Sequence, residues 1–234
     1  MPHKVVGVIG GMGPDATVAL MQRVIALTPA ADDIDHIHML VDSNPKVPSR
    51  LKALLSSGSE QAENPGPVIA EMAARLEVAG ADFLVMPCNT AHHYYHYAES
   101  ATTIPVWHLI ELCACAIQRA RPSCSKVGLL ASSATHGIHL FEPAFDRCGL
   151  SAVYPNQEVQ AIVMDLINAV KAGSANNALV KQYNKAVASF AEQGLDCLFL
   201  GCSELSTLLS HHEQCVPLFD SVEILANAIV AEAG

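Results

Sequence analysis

Short unbroken apolar runs alternate along this chain with longer stretches whose apolar positions recur every three or four residues. Unbroken runs rich in β-branched residues suit strands buried on both faces, and the longer spacing suits helices. Read this way, Lys4–Ile9 is a strand, and a helix starts at Pro14-Asp15 and runs to about Thr28, where Pro29 stops it. His36–Val41 is a second strand. Asp42–Arg50 and the polar stretch Ser56–Pro67 make a long irregular connection, of the kind that forms lids at the carboxyl edge of a sheet. Val68–Ala79 is a helix closed by Gly80, Phe83–Met86 a strand, and the segment holding His92–Tyr97 a helix. Lys126–Ala131 and Cys197–Leu200 are strands, and Val159–Val170, Ala178–Glu192 and Val222–Ala233 are helices. Strands alternating with helices predict parallel sheets and an α/β fold.

The pattern also repeats. Val5–Gly10 matches Lys126–Ala131, with Gly7 answered by Gly128. AGADFLVMPCNT (Ala79–Thr90) matches QGLDCLFLGCSE (Gln193–Glu204), each cysteine eight residues after the leading glycine. Ile104–Glu111 matches Val216–Glu223, both aliphatic-Pro-aliphatic-aromatic with a Glu six residues after the Pro. These landmarks recur in the same order, 112 to 121 residues apart, which is an internal duplication. It predicts two similar parallel-sheet α/β domains related by a pseudo-twofold, with a cleft between them. The chain should cross near Trp107–Glu111 and again near Pro217–Asp220, which divides it into 1–106 plus 218–234 and 107–217.

Composition narrows the classes of function. At 234 residues and 51% hydrophobic, the chain can build a sizeable core, and no apolar run reaches the length of a membrane span. The formal net charge is −10 with no basic block, which argues against nucleic acid as a partner. Met1-Pro2-His3-Lys4 leads directly into a strand, so no secretory signal is expected, the location expected is cytoplasmic, and the eight cysteines are expected to be reduced. No CxxC pair is present, so zinc-ribbon and thioredoxin chemistry are not expected.

Several groups are candidates for chemistry. Gly11-x-Gly13-x-x-Ala16 matches the dinucleotide fingerprint in form, but the acids Asp32, Asp33 and Asp35 precede the next strand, and Asp42, which closes it, lies too far along. A turn facing a substrate, or a structural turn, fits better. His92 and His96 share a helix face, but no third ligand stands near them, so a ring-rich packed helix is expected and no metal. Cys88 and Cys202 each fall just past the carboxyl end of a strand, where open α/β sheets bind ligands, and just before a helix whose dipole favours a thiolate. They could pair as a disulfide, pack independently, act as one nucleophile and one bystander, or serve as two acid–base groups on opposite faces of one carbon. The duplication favours the last. Donors at Asn89-Thr90 and Ser203-Glu204 could then hold a carboxylate, while Arg50 and Lys171 have the bland alternatives of a loop cation and a helix C-terminal charge.

GGMGPDAT (Gly10–Thr17), DSNPKVPSR (Asp42–Arg50), PCNTAH (Pro87–His92), VKAG (Val170–Gly173) and GCSEL (Gly201–Leu205) together resemble the aspartate/glutamate racemase family, over essentially the whole chain. The resemblance implies a racemase or related isomerase working without pyridoxal phosphate or another cofactor, on a small dicarboxylic amino acid, commonly as a homodimer. It implies Cys88 and Cys202 as the two bases. Asn89, Thr90 and Ser203 would contact the α-carboxylate and amino group, with Met12 and Thr135 nearby, and Arg50 and Lys171 would form the cationic pair for a second carboxylate. Ser203 departs from the family's usual Thr, keeping the hydroxyl and losing the methyl. Relatives that isomerise maleate by covalent cysteine attack, and a binding protein with a degraded site, are the competing readings.

Overall fold

The computed structural model describes residues 3–55, 63–208, 211–212 and 216–234, so residues 56–62 of the expected polar connection and Cys215 lie outside the described residues. In the first half, β1 (Val6–Gly10) is central and pairs in parallel with β2 (Met39–Ser43) and β3 (Phe83–Val85). A single parallel bridge, Leu84 to Val106, adds a fourth position, with Leu84 N–H donating to Pro105 O at 2.8 Å. In the second half, β4 (Lys126–Leu130) pairs in parallel with β5 (Ser151–Val153) and β6 (Cys197–Leu200), and β6 with β7 (Leu218–Asp220). There Leu198 N–H donates to Pro217 O at 2.9 Å. The two sheets have the same order, and the repeated prolines hold the same place in each. Leu218–Asp220, which the expected division assigned to the first domain, is therefore hydrogen-bonded into the second sheet.

The helices are α1 (Pro14–Leu27), α2 (Arg50–Leu55), α3 (Gly66–Val78), α4 (Tyr95–Ser100), α5 (Leu109–Ala120), α6 (Ser133–Gly137), α7 (Glu142–Arg147), α8 (Gln157–Lys171), α9 (Asn177–Ala191), α10 (Ser203–Ser206) and α11 (Ser221–Ala233). The repeated Gly7 and Gly128 mark close helix–sheet approach: a Cβ at Gly7 would sit 3.3 Å from Leu76 Cβ of α3, and one at Gly128 2.9 Å from Phe190 Cε1 of α9. The second strand begins at Met39, later than expected, because Asp32–Asp35 close a single helical turn by a reciprocal capping box. Asp42 lies inside that strand and is held by Arg75 of α3 at 2.7 Å.

Each connecting helix packs on the opposite half. α11 follows the second sheet and lies along α1 of the first, while α5 follows the Val106 bridge and packs against α7 of the second. The repeated glutamates mark these crossings, with Glu223 taking Arg23 of α1 and Glu111 taking Arg147 of α7. A contiguous apolar cluster runs from Val6, Val8 and Val85, through Ile110 and Ile117 of α5 and Leu225 and Ile229 of α11, to Val127, Leu129 and Phe199. Two further clusters cover the outer faces, under α3 and α4 on one side and α8 and α9 on the other.

Candidate active site

The carboxyl ends of β3 and β6 turn into Cys88 and Cys202, both buried, and both residues line a cavity of about 50 Å³ between the halves. Met12, Arg50, Asn89, Thr90, Lys171, Ser203 and Glu204 also line it, so nearly every residue singled out above converges on one place. Ser49 and Ser132 line it as well and were not foreseen. Thr135 is the exception. It is fully buried, and its hydroxyl donates to Ser132 O at 2.7 Å, inside the first turn of α6. Ser132 takes its place, and the Ser132 Oγ is buried without a hydrogen-bond partner among the described residues.

The first thiol loop is stapled to both crossing helices. Residues 89–94 form a 3₁₀ turn, and Asn89 sends its amide nitrogen to Ser221 Oγ, at the start of α11, at 3.0 Å. Neither Asn89 nor Thr90 caps the turn through its side chain. Asn89 Oδ1 is buried with no partner among the described residues, leaving an acceptor beside the cavity. The two ring nitrogens of His92 are occupied by Cys88 O at 2.9 Å and Leu109 N–H at 3.0 Å, which leaves neither free for a metal.

The second thiol is different. Cys202 donates to Glu204 Oε2 at 3.0 Å, and Glu204 Oε1 lies 3.4 Å from Lys171 Nζ at the end of α8. Glu204 therefore presents a carboxylate that accepts from the thiol, rather than a donor for a substrate. Burial pushes the Cys202 thiol well above the usual range, Glu204 adds to the rise, and Lys171 opposes it. The expected thiolate-favouring dipole is overruled, because α10 is a single turn and the site is desolvated.

Arg50 reaches the cavity from the first turn of α2. One terminal nitrogen donates to Val47 O and Pro48 O at 3.2 and 3.1 Å, and its Nε has no partner among the described residues. The glycine-rich turn is spent on the fold. Gly11, at φ +83°, lies against the Asn44 backbone, its N–H donates to Thr17 Oγ1 at 2.8 Å, and the Thr17 hydroxyl donates to Gly13 O. Its other face looks towards Glu204, which stands 3.8 Å from where a Gly13 Cβ would be. A larger and more apolar groove of about 640 Å³ runs between α5 and α11, past Trp107, Leu112 and Ile224, but it holds none of these groups, and chemistry rather than size marks the smaller cavity as the site.

Two parallel-sheet halves with a thiol from each at one interdomain cavity define a racemase-type fold, and comparison with known proteins agrees. The sequence signature of the Asp/Glu/hydantoin racemase family matches residues 9–229, so the chain belongs to that family and is an isomerase of the amino-acid racemase class. It is 27% identical to the broad specificity amino-acid racemase RacX of Bacillus subtilis (strain 168), over 97% of this chain and 96% of that protein. Among solved structures, Picrophilus torridus aspartate racemase superposes with a TM-score of 0.83 at 29% identity, covering 99% of this chain and 94% of that one. An aspartate racemase homologue from Pyrococcus horikoshii OT3 superposes at 0.76 over 99% of both chains, and at 22% identity it speaks for the fold alone.

Proposed function

We propose that this protein racemises aspartate, with glutamate the lesser substrate, by moving the Cα proton between Cys88 and Cys202 without a cofactor. The observation that carries the proposal is that Cys88 and Cys202 line one small cavity together with Arg50 and Lys171. One thiol takes the α-proton from one face and the other returns a proton to the opposite face. Cys202, held as a thiol on Glu204, enters as the acid, and Cys88 is then the base. That turnover leaves Cys88 protonated and Cys202 as the thiolate, the state from which the reverse direction runs, with Cys202 as the base and Cys88 as the acid. Asn89 Oδ1 is an available acceptor for the substrate ammonium, and Ser132 Oγ and Ser203 stand by for the α-carboxylate. The unpaired Arg50 Nε supports recognition of a second carboxylate, with Lys171 shared between that carboxylate and Glu204.

Size favours the shorter diacid. The cavity, at about 50 Å³, is small, and a diacid with one methylene fewer needs less room in it. The aspartate racemase of Picrophilus torridus supports the same choice, while the broad specificity of RacX keeps glutamate in the test. A cytoplasmic location and a homodimer belong to the same proposal, the assembly being read by sedimentation of the assayed sample.

The test is incubation of L-aspartate in deuterium oxide with no added cofactor. Deuterium should enter Cα as D-aspartate accumulates, and Cys88→Ala and Cys202→Ala should each lose racemisation. No exchange on any proteinogenic amino acid would sink the proposal, and a covalent adduct on Cys88 or Cys202 by mass spectrometry would redirect it to covalent isomerisation.

A further inference from the structure

His92 takes no part in the proton transfer proposed above, yet it is fully engaged beside the first thiol. Leu109 N–H donates to Nε2 at 3.0 Å, so Nε2 carries the lone pair and the hydrogen sits on Nδ1, which donates to Cys88 O at 2.9 Å. Burial lowers the His92 pKa to about 3, with the His108 ring, 5.0 Å away, adding to the drop, so this neutral tautomer persists at neutral pH. Cys88 O also accepts Ala91 N–H at 3.1 Å. Two donors on one carbonyl fix the Cys88–Asn89 peptide plane, and in a trans peptide the Asn89 N–H points opposite to that carbonyl. Asn89 opens the 3₁₀ turn, where N–H groups have no acceptor within the helix, and it lines the cavity.

We infer that His92 is a positioning residue: through Cys88 O it holds the Cys88–Asn89 peptide so that the thiol and the Asn89 N–H address one substrate, and through Leu109 it ties that peptide to the start of α5. The second half shows that the fold itself does not require the clamp. Leu205 N–H donates to Cys202 O at 3.0 Å as Ala91 does to Cys88 O, but the residue four beyond Cys202 is Ser206, with no ring to reach back to that carbonyl. The device therefore belongs to the Cys88 side.

This inference rests on the proposed two-thiol reaction, and two variants separate its parts. Asn can present an amide nitrogen where Nδ1 stands, keeping the bond to Cys88 O. Gln can present an oxygen where Nε2 stands, keeping only the bond from Leu109. His92→Asn should stay within about 5-fold of wild-type kcat, whereas His92→Gln should lose about 10- to 100-fold with a raised KM, the scale of a small misplacement of a reacting group. Equal activity in both variants and the wild type, equal loss in both, or loss that follows the melting temperature would make His92 a packing residue and overturn the inference while leaving the reaction intact. If the wild type turns over no amino acid, the functional proposal has failed, and the positioning is read instead from the rate at which iodoacetamide labels Cys88, by peptide mass spectrometry. That rate should shift about 5-fold or more in the Gln variant and not in the Asn variant, and identical rates overturn the clamp.

Discussion

Glu204 and Lys171 act on the Cys202 thiol in opposite senses. The carboxylate accepts the thiol hydrogen and disfavours a second negative charge beside it, while the ammonium favours the thiolate. Glu204→Gln should therefore lower the Cys202 pKa and Lys171→Met should raise it. Because the thiolate is the reactive form, the pH profile of Cys202 alkylation, measured without substrate, should move to lower pH in the first variant and to higher pH in the second. Profiles that move in neither variant would show that burial alone controls this sulfur. Racemisation should fall in both variants, since each loses a contact the reaction uses. The two thiols were legible in the chain because duplication repeats them at one offset from a glycine. The Glu204 bridge was not, since Lys171 lies a helix and a strand before Cys202 and no local spacing joins them. Nor could spacing choose among Ser132, Ser133 and Thr135. The tight start of α6 turns the Thr135 hydroxyl back onto Ser132 O and leaves Ser132 at the cavity.

The crossing helices begin at matched caps. Asp220 Oδ1 accepts the N–H groups of Val222 and Glu223 at 2.6 and 3.1 Å, and His108, its counterpart by the repeat, accepts Glu111 N–H at 3.4 Å. Asp220 is buried, and burial raises its pKa, against the opposing pull of the Glu223 amide. A carboxyl whose folded pKa lies above its unfolded value binds more protons when folded, so its contribution to stability falls as pH rises through that window. Asp220→Asn keeps the cap and removes the buried charge. In urea titrations it should gain on the wild type as pH rises from the ordinary carboxylate range towards neutral. Asp220→Ala loses the cap and should cost about 1–2 kcal/mol. An Asn variant that is the less stable at neutral pH would show that the charge itself is needed. Long elements with strong periodicity, such as α1, α8 and α9, lay within a residue or two of where the apolar spacing put them. Elements that a few residues and their neighbours create were invisible. The three-residue β5 exists only because β4 pairs with it, and the six-residue α2 carries Arg50 inside what reads as a plain loop.

At the scale of the molecule, the swap of α5 and α11 means that neither sheet buries its inner face alone. Val8 and Val85 of the first sheet and Val127 and Phe199 of the second share one buried cluster with Ile110 and Ile117 on one helix and Leu225 and Ile229 on the other. Opening the halves would expose both helices at once, so the chain should unfold as one cooperative unit despite its duplicated plan. The sequence has one tryptophan, and it is a well-placed reporter. Trp107 sits at the first crossing and stacks on Phe83 at 4.4 Å. Its fluorescence and the far-UV circular dichroism should therefore share a single urea midpoint. Ile229→Ala, at a fully buried position of α11, should cost about 2–5 kcal/mol and move both signals together, although Ile229 lies near the C-terminus and follows the second sheet in the chain. Separate midpoints, or a variant that shifts one signal alone, would mean that the halves hold themselves together independently. The cleft would then be a hinge between two bodies rather than a seam in a shared core, and the alignment of the two thiols would no longer be inherited from the packing of α5 against α11.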